Sequence, residues 1–128
     1  MPRVLVIDDQ QHARAAILIA LRAHGFDPVG AEDGAAGLRE FQTSDFDLAI
    51  VDIYMPGLDG VQLIKALRQH SPDLPIIAIS GVMLRGSPRT ALDFFPDLPA
   101  LARVTCLQKP FRPPELLKAI ETALAVAA

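Results

Sequence analysis

Five short apolar runs alternate with helical patterns along the chain, and this alternation limits the possible folds more than any other feature. Most runs are continuous rather than alternating, which is typical of strands covered on both faces in a parallel sheet. The second run is the weakest, because it contains a proline and a glycine. The runs are Val4–Ile7, Pro28–Ala31, Leu48–Val51, Ile76–Ile79 and Val104–Leu107.

Apolar residues recur at helical spacing between most of these runs. The four helical segments are Ala13–Leu21, Gly34–Thr43, Val61–Leu67 and Pro113–Leu124. Strands that alternate with helices predict repeated βαβ units, and right-handed crossovers then give an open parallel sheet with helices on both faces. The sequence therefore predicts an α/β fold, with one domain over residues 1–128. The segment Gly81–Ala102 contains three prolines, so we expect an irregular fourth helix there.

Composition excludes several other classes of protein. Half of the residues are hydrophobic, which is enough for a core, and the formal net charge of -3 argues against non-specific binding to nucleic acid. Cys106 is the only cysteine, so an internal disulfide and a cysteine-based zinc site are excluded. We expect it to be a buried residue of its strand. The sequence shows no signal peptide and no membrane span, so we expect a cytoplasmic protein with no membrane partner.

Polar residues follow four of the five apolar runs at the point where each run ends. Asp8 and Asp9 follow the first run, Asp52 the third, Ser80 the fourth and Lys109 comes just after the fifth. The carboxyl ends of parallel strands meet at one edge of the sheet, where ligands of such folds bind. An Asp-Asp pair alone is more often a helix cap or a solvated turn. The joint arrangement instead favours a binding site.

Three neighbouring carboxylates repel one another, and a hard cation such as Mg²⁺ relieves that repulsion. Asp52 could then act as a nucleophile, since a carboxylate can form an aspartyl-phosphate. Ser80 would supply a hydroxyl and Lys109 a cation to the incoming phosphoryl oxygens. The pattern therefore favours Mg²⁺-dependent phosphoryl transfer.

Four sequence segments resemble the receiver domains of two-component response regulators, and the resemblance covers essentially the whole chain. They are VLVIDD, DLAIVDIYMPGLDG, PIIAISG and LQKPF. The resemblance implies that Asp52 accepts a phosphoryl group from a histidine kinase or a histidine phosphotransfer protein. It also implies a Mg²⁺ site formed by Asp8, Asp9, Asp52 and the backbone carbonyl of Tyr54.

The resemblance also implies the flavodoxin-like strand order 2-1-3-4-5, a switch hydroxyl at Ser80 and a cis peptide between Lys109 and Pro110. Receivers often carry an aromatic switch residue three positions before the lysine, where this chain has Cys106. We therefore expect a downstream protein partner to recognise the Gly81–Ala102 segment together with the last helix.

Two other functions compete with that of a single-domain or isolated receiver acting as a switch. A Mg²⁺-dependent aspartate-based phosphatase would need a second aspartate two positions after Asp52, where Tyr54 stands. A static scaffold would not need the complete acidic set. The switch is favoured, so we do not expect an enzyme beyond self-catalysed transfer. The resemblance implies that Tyr54 and Val82 lie beside the path of the attacking water. Neither side chain orients water well, which predicts slow self-dephosphorylation.

Overall fold

The computed structural model describes residues 1–53, 60–80 and 103–127, without the side chains of Val61, Ser80, Val126 and Ala127. Five strands and four helices lie within these ranges. In chain order they are β1 (Arg3–Ile7), α1 (Gln11–Ala23), β2 (Asp27–Ala31), α2 (Gly34–Thr43), β3 (Leu48–Asp52), α3 (Gly60–His70), β4 (Ile76–Ser80), β5 (Val104–Gln108) and α4 (Pro113–Ala127). The irregular fourth helix predicted for Gly81–Ala102 lies outside the described residues.

The strands form one parallel sheet in the order β2-β1-β3-β4-β5. This order confirms the predicted fold class. The register aligns Ile7 with Val51, so the residues that follow β1 emerge level with the last residue of β3. Ser80 pairs with Gln108 at the same end of β4 and β5. The register therefore brings the predicted strand ends to a common edge.

Helices cover both faces of the sheet, as predicted. On one face, α2 and α3 pack against alternate strand residues such as Leu5 and Ile7. On the other face, α1 and α4 pack against the residues between them, such as Val4 and Val6. All four of these side chains are fully buried. Continuous apolar strands are needed because each face of the sheet faces a helical layer.

The edge strand β5 is less well covered than the central strands. Cys106 lies in it and is exposed, so the prediction that this residue is buried is wrong. An apolar run indicates a strand but does not say whether the strand lies at the edge of the sheet. The predicted stop of the first helix is confirmed, because Gly25 follows α1 with a φ of +85°, a conformation that favours glycine.

Candidate functional site

Three carboxylates meet at the carboxyl edge of the sheet and form the acidic cluster (Asp8, Asp9 and Asp52). One carboxylate oxygen of each lies within 4.8 Å of the others. Asp8 is fully buried and Asp52 is only 4% exposed, whereas Asp9 is exposed. The parallel register of β1 and β3 places them together. The predicted convergence of these residues is therefore observed.

The loop after β1 is held by hydrogen bonds that start or end at Asp8. The backbone N–H of Asp8 donates to the carbonyl of Ala31 (3.2 Å), and Asp8 Oδ1 accepts a hydrogen bond from the backbone N–H of Gln10 (2.9 Å). Its carbonyl accepts a hydrogen bond from the Arg14 guanidinium at 2.7 Å. Because a buried polar group without partners is costly, these bonds fix the orientation of the Asp8 carboxylate.

Lys109 brings a cation to the acidic cluster from the end of β5. Its Nζ donates to Asp8 Oδ2 at 2.9 Å and to Asp52 Oδ2 at 3.1 Å. Burial alone would lower the pKa of the ammonium, but the hydrogen bonds and charges of both carboxylates outweigh it and raise the pKa. The Lys109–Pro110 peptide is cis, as the resemblance implies. Lys109 therefore stays charged and ties two strand ends together.

The donor set of the acidic cluster fits Mg²⁺. The ion prefers carboxylate and carbonyl oxygens, and opposite ligands of its octahedron lie about 4.2 Å apart. The three carboxylate oxygens lie within 4.8 Å of one another, near enough to contact one such ion. The cluster also has more negative charges than the ammonium of Lys109 can neutralise. The exposure of Asp9 leaves a side open to the waters that Mg²⁺ usually keeps.

Other predicted site residues are only partly placed by the structure. Ser80 ends β4 at the correct edge of the sheet, but its side chain is outside the description. The Tyr54 carbonyl, Val82 and the Gly81–Ala102 segment also lie outside the described residues.

Sequence reasoning missed two residues of the site. Gln10 accepts a hydrogen bond from Lys109, and Arg14 donates one to the carbonyl of Asp8. Only their closeness in sequence to the aspartate pair could have indicated them. Arg14 reaches the loop by lying across Gly30 of β2, where the Cβ of an alanine would come within 3.3 Å of Arg14 Cδ.

No helix in the described ranges has both the length and the apolar character that crossing a membrane requires. The helices instead place their apolar residues against the sheet.

Known proteins resemble this chain in sequence and in structure. The family model of the response regulator receiver domain matches residues 4–121. The response regulator receiver protein CpdR of Brucella abortus is 31% identical over 127 residues, which cover 99% of this chain and all of CpdR. The response regulator TrrA of Thermotoga maritima, solved in complex with Mg²⁺–BeF, superposes with a TM-score of 0.79 and 28% identity, covering 97% of this chain and 100% of TrrA.

A third relative is longer than this chain. The transcriptional regulatory protein PrrA of Mycobacterium bovis is 42% identical over 80 residues, which cover 62% of this chain but 34% of PrrA. The chain thus matches about a third of the length of this relative. The family match covers most of the chain and includes every described strand end that forms the site. The chain therefore belongs to the response regulator receiver domain family.

Proposed function

We propose that the chain is a phosphorylation-dependent signalling switch that accepts a phosphoryl group on Asp52 from a histidine kinase or a histidine phosphotransfer protein. One observation carries this proposal. Asp52 is a nearly buried carboxylate that receives a hydrogen bond from Lys109 and lies beside two further carboxylates. Burying a carboxylate beside two others is unfavourable, because each charge loses its hydration and must be paired. Burial and like-charge clusters of this kind are typical of functional sites.

The residues supply what phosphoryl transfer needs. A carboxylate oxygen of Asp52 attacks phosphorus, and the bond from phosphorus to the donor nitrogen breaks as the new P–O bond forms. Lys109 stabilises negative charge on the phosphoryl oxygens from its position above Asp52. The Ser80 hydroxyl is a second donor to those oxygens. Transfer of this kind depends mostly on positioning and charge stabilisation, which the strand ends provide.

A Mg²⁺ ion is the cofactor that we propose for this site. Asp8, Asp9, Asp52 and the backbone carbonyl of Tyr54 would hold it. When bound, it neutralises charge shared between the carboxylates and the phosphoryl group. The solved complex of TrrA with Mg²⁺–BeF supports this choice of metal in a relative of the same fold.

Phosphorylation would change the charge balance at the sheet edge. It adds about -1.5 to -2 charges and three acceptor oxygens at Asp52. Lys109 and Ser80 would turn toward the new group, and we propose that the Gly81–Ala102 segment and α4 carry the change to a downstream protein. The bulky Tyr54 and the apolar Val82 would keep self-dephosphorylation slow. We expect this switch to act in the cytoplasm without contacting nucleic acid directly.

The test of the acceptor is incubation with acetyl phosphate and Mg²⁺, followed by intact-mass measurement. The native chain should gain one phosphate, and Asp52→Ala should gain none. Asp45→Ala is the matched control, because Asp45 is exposed in the loop that enters β3, at the opposite end of the sheet. A full phosphate adduct on Asp52→Ala would contradict the assignment.

The test of the output surface is hydrogen exchange with and without a phosphoryl mimic such as beryllium trifluoride. Protection should change in residues 81–99 and in α4. A change confined to α2 and α3 would show that the switch uses another surface. Continuous hydrolysis of a phosphate monoester would favour the phosphatase alternative instead.

A further inference from the structure

The amide of Gln10 provides a third acceptor for the Lys109 ammonium. Lys109 Nζ donates to Gln10 Oε1 at 3.2 Å, in addition to its bonds with Asp8 and Asp52. An ammonium has three N–H donors, so these three acceptors use its full capacity. A phosphoryl oxygen that needs one of these donors must therefore displace an existing acceptor.

The position of Gln10 at the start of α1 directs its side chain to this role. Gln10 is the N-cap residue, with extended backbone (φ -86°, ψ 112°), but its side chain makes no capping hydrogen bond. Its backbone is fixed on both sides, because its N–H donates to Asp8 Oδ1 and its carbonyl accepts the N–H of Arg14 at 2.9 Å. A residue that usually serves as a cap would use its side chain on the helix. Here the side chain contacts Lys109 instead.

The three acceptors of Lys109 are unequal. Asp8 and Asp52 are charged and buried, and hydrogen bonds to charged acceptors are the stronger ones. The Gln10 amide is neutral and its contact is the longest and the most exposed of the three. The Gln10 bond is therefore the weakest of the three and the one that a competing acceptor would displace most easily.

We propose that Gln10 is a positioning residue that occupies the third N–H of Lys109 until a phosphoryl group takes its place, and so limits how fast Asp52 is phosphorylated. This inference rests on the proposed function of Asp52. It assigns to the loop after β1 a control of rate that is separate from metal binding. The strength of the acceptor at position 10 then sets the rate.

The test compares two substitutions that change the acceptor in opposite directions. Gln10→Met keeps a similar length but offers only a weak thioether acceptor, whereas Gln10→Glu offers a stronger, charged one. With acetyl phosphate and Mg²⁺, Gln10→Met should be phosphorylated roughly three- to tenfold faster, the range that one hydrogen bond spans. Gln10→Glu should be slower than the native chain. These substitutions should change the phosphorylation rate at saturating acetyl phosphate. They should not change the acetyl phosphate concentration that gives half of that rate.

Gln11 provides the matched control. It is exposed at the first position of α1, whereas the acceptors of Lys109 are Asp8, Gln10 and Asp52. Gln11→Glu adds the same charge one residue away. It therefore separates the strength of the hydrogen-bond acceptor at position 10 from electrostatic repulsion of acetyl phosphate. Gln11→Met and Gln11→Glu should stay within about twofold of the native rate, since substitutions of this kind on the surface have small effects.

A second measurement reports on the contact itself. The side-chain ammonium of Lys109, followed by ¹⁵N NMR, should exchange its protons with water faster in Gln10→Met than in the native chain, and no faster in Gln11→Met. A native chain that takes no phosphate would refute the proposed function. A native chain that is phosphorylated while Gln10→Met matches it in both rate and ammonium exchange would refute the role of Gln10 alone. If Gln10→Met does not fold, Gln10→Asn, whose shorter amide is withdrawn from Lys109, gives the same comparison.

Discussion

Replacing Gly60 by alanine should disturb the site, because the added methyl group would meet the backbone of Ile53. Gly60 is buried at the first position of α3. A Cβ there would lie 2.8 Å from the carbonyl oxygen of Ile53 and 2.9 Å from its carbonyl carbon. Ile53 directly follows Asp52, so the start of α3 and the end of β3, which carries the proposed acceptor, would have to separate.

The expected cost follows from the atoms involved. Overpacking a filled site costs about 1–3 kcal/mol, and the upper end applies because backbone atoms cannot move aside as side chains can. Alanine recovers up to about 1 kcal/mol over glycine in a helix. We expect a net loss of about 2 kcal/mol in the free energy of unfolding, or a shift of about 1 M in the urea midpoint. Phosphorylation of Asp52 should slow as well, because its backbone moves.

Urea unfolding followed by circular dichroism measures this loss, with Gly30→Ala as the control. At Gly30 the nearest atoms to a new Cβ are Leu18 Cδ1 at 3.0 Å and Arg14 Cδ at 3.3 Å, both in side chains that can turn away. That variant should cost at most about 1 kcal/mol, the value of the Arg14 bond to the Asp8 carbonyl that is lost if Arg14 turns away. A Gly60→Ala variant as stable as Gly30→Ala would refute the packing argument.

Three further predictions concern the charges of the site. The raised pKa of Lys109 means that its contribution to stability is complete below the unfolded pKa, near pH 10, and is lost as the pH rises through the folded pKa. Urea unfolding at roughly pH 9 to 12 should show this loss, and Asp52→Asn should reduce it. Arg14→Met should cost about 1 kcal/mol by removing the bond to the Asp8 carbonyl. Mg²⁺ at about ten times its Kd should stabilise the native chain by about 1.4 kcal/mol, and Asp9→Asn should remove most of that gain in a thermal melt.

Each of these predictions has its own control. Lys118 is exposed on α4, and the Lys118→Met variant should lose as much stability at alkaline pH as the native chain does. Arg22→Met, on the exposed side of α1, should cost less than Arg14→Met. Na⁺ at equal ionic strength separates specific Mg²⁺ binding from screening. The first prediction is contradicted if Asp52→Asn leaves the loss of stability at alkaline pH unchanged. The second is contradicted if Arg14→Met and Arg22→Met cost the same, and the third if Mg²⁺ stabilises Asp9→Asn as much as the native chain.

The strands and the meeting of the strand ends were predictable from simple periodicity. Continuous apolar runs require strands that are covered on both faces. The structure has one hydrophobic core on each face of the sheet, with Leu5 in one and Val6 in the other. Once the sheet is parallel, the residues that end its strands must share an edge. The nearness of Lys109 to Asp8 and Asp52 follows from that rule, whereas the two hydrogen bonds between them are seen only in the structure.

The roles of Gln10 and Gly60 could not be predicted in this way. A glutamine in a loop has several rotamers, and only the folded loop directs its amide toward Lys109. The close approach of Gly60 to Ile53 depends on where α3 begins relative to β3, which periodicity does not determine. The exposure of Cys106 depends on the order of strands, since the same apolar run would be buried in a central strand.

The separation in sequence of the residues that Lys109 joins has a consequence for folding. Its two carboxylate partners lie 101 and 57 positions earlier in the chain. Contacts between such distant residues form late in folding, because closing the long loop between them costs chain entropy before the contact stabilises the chain. While the chain is being synthesised, the aspartates of β1 and β3 therefore exist without their lysine. A nascent or partly unfolded chain therefore carries the proposed acceptor before the lysine is in place, and we expect only the folded chain to respond to a phosphodonor.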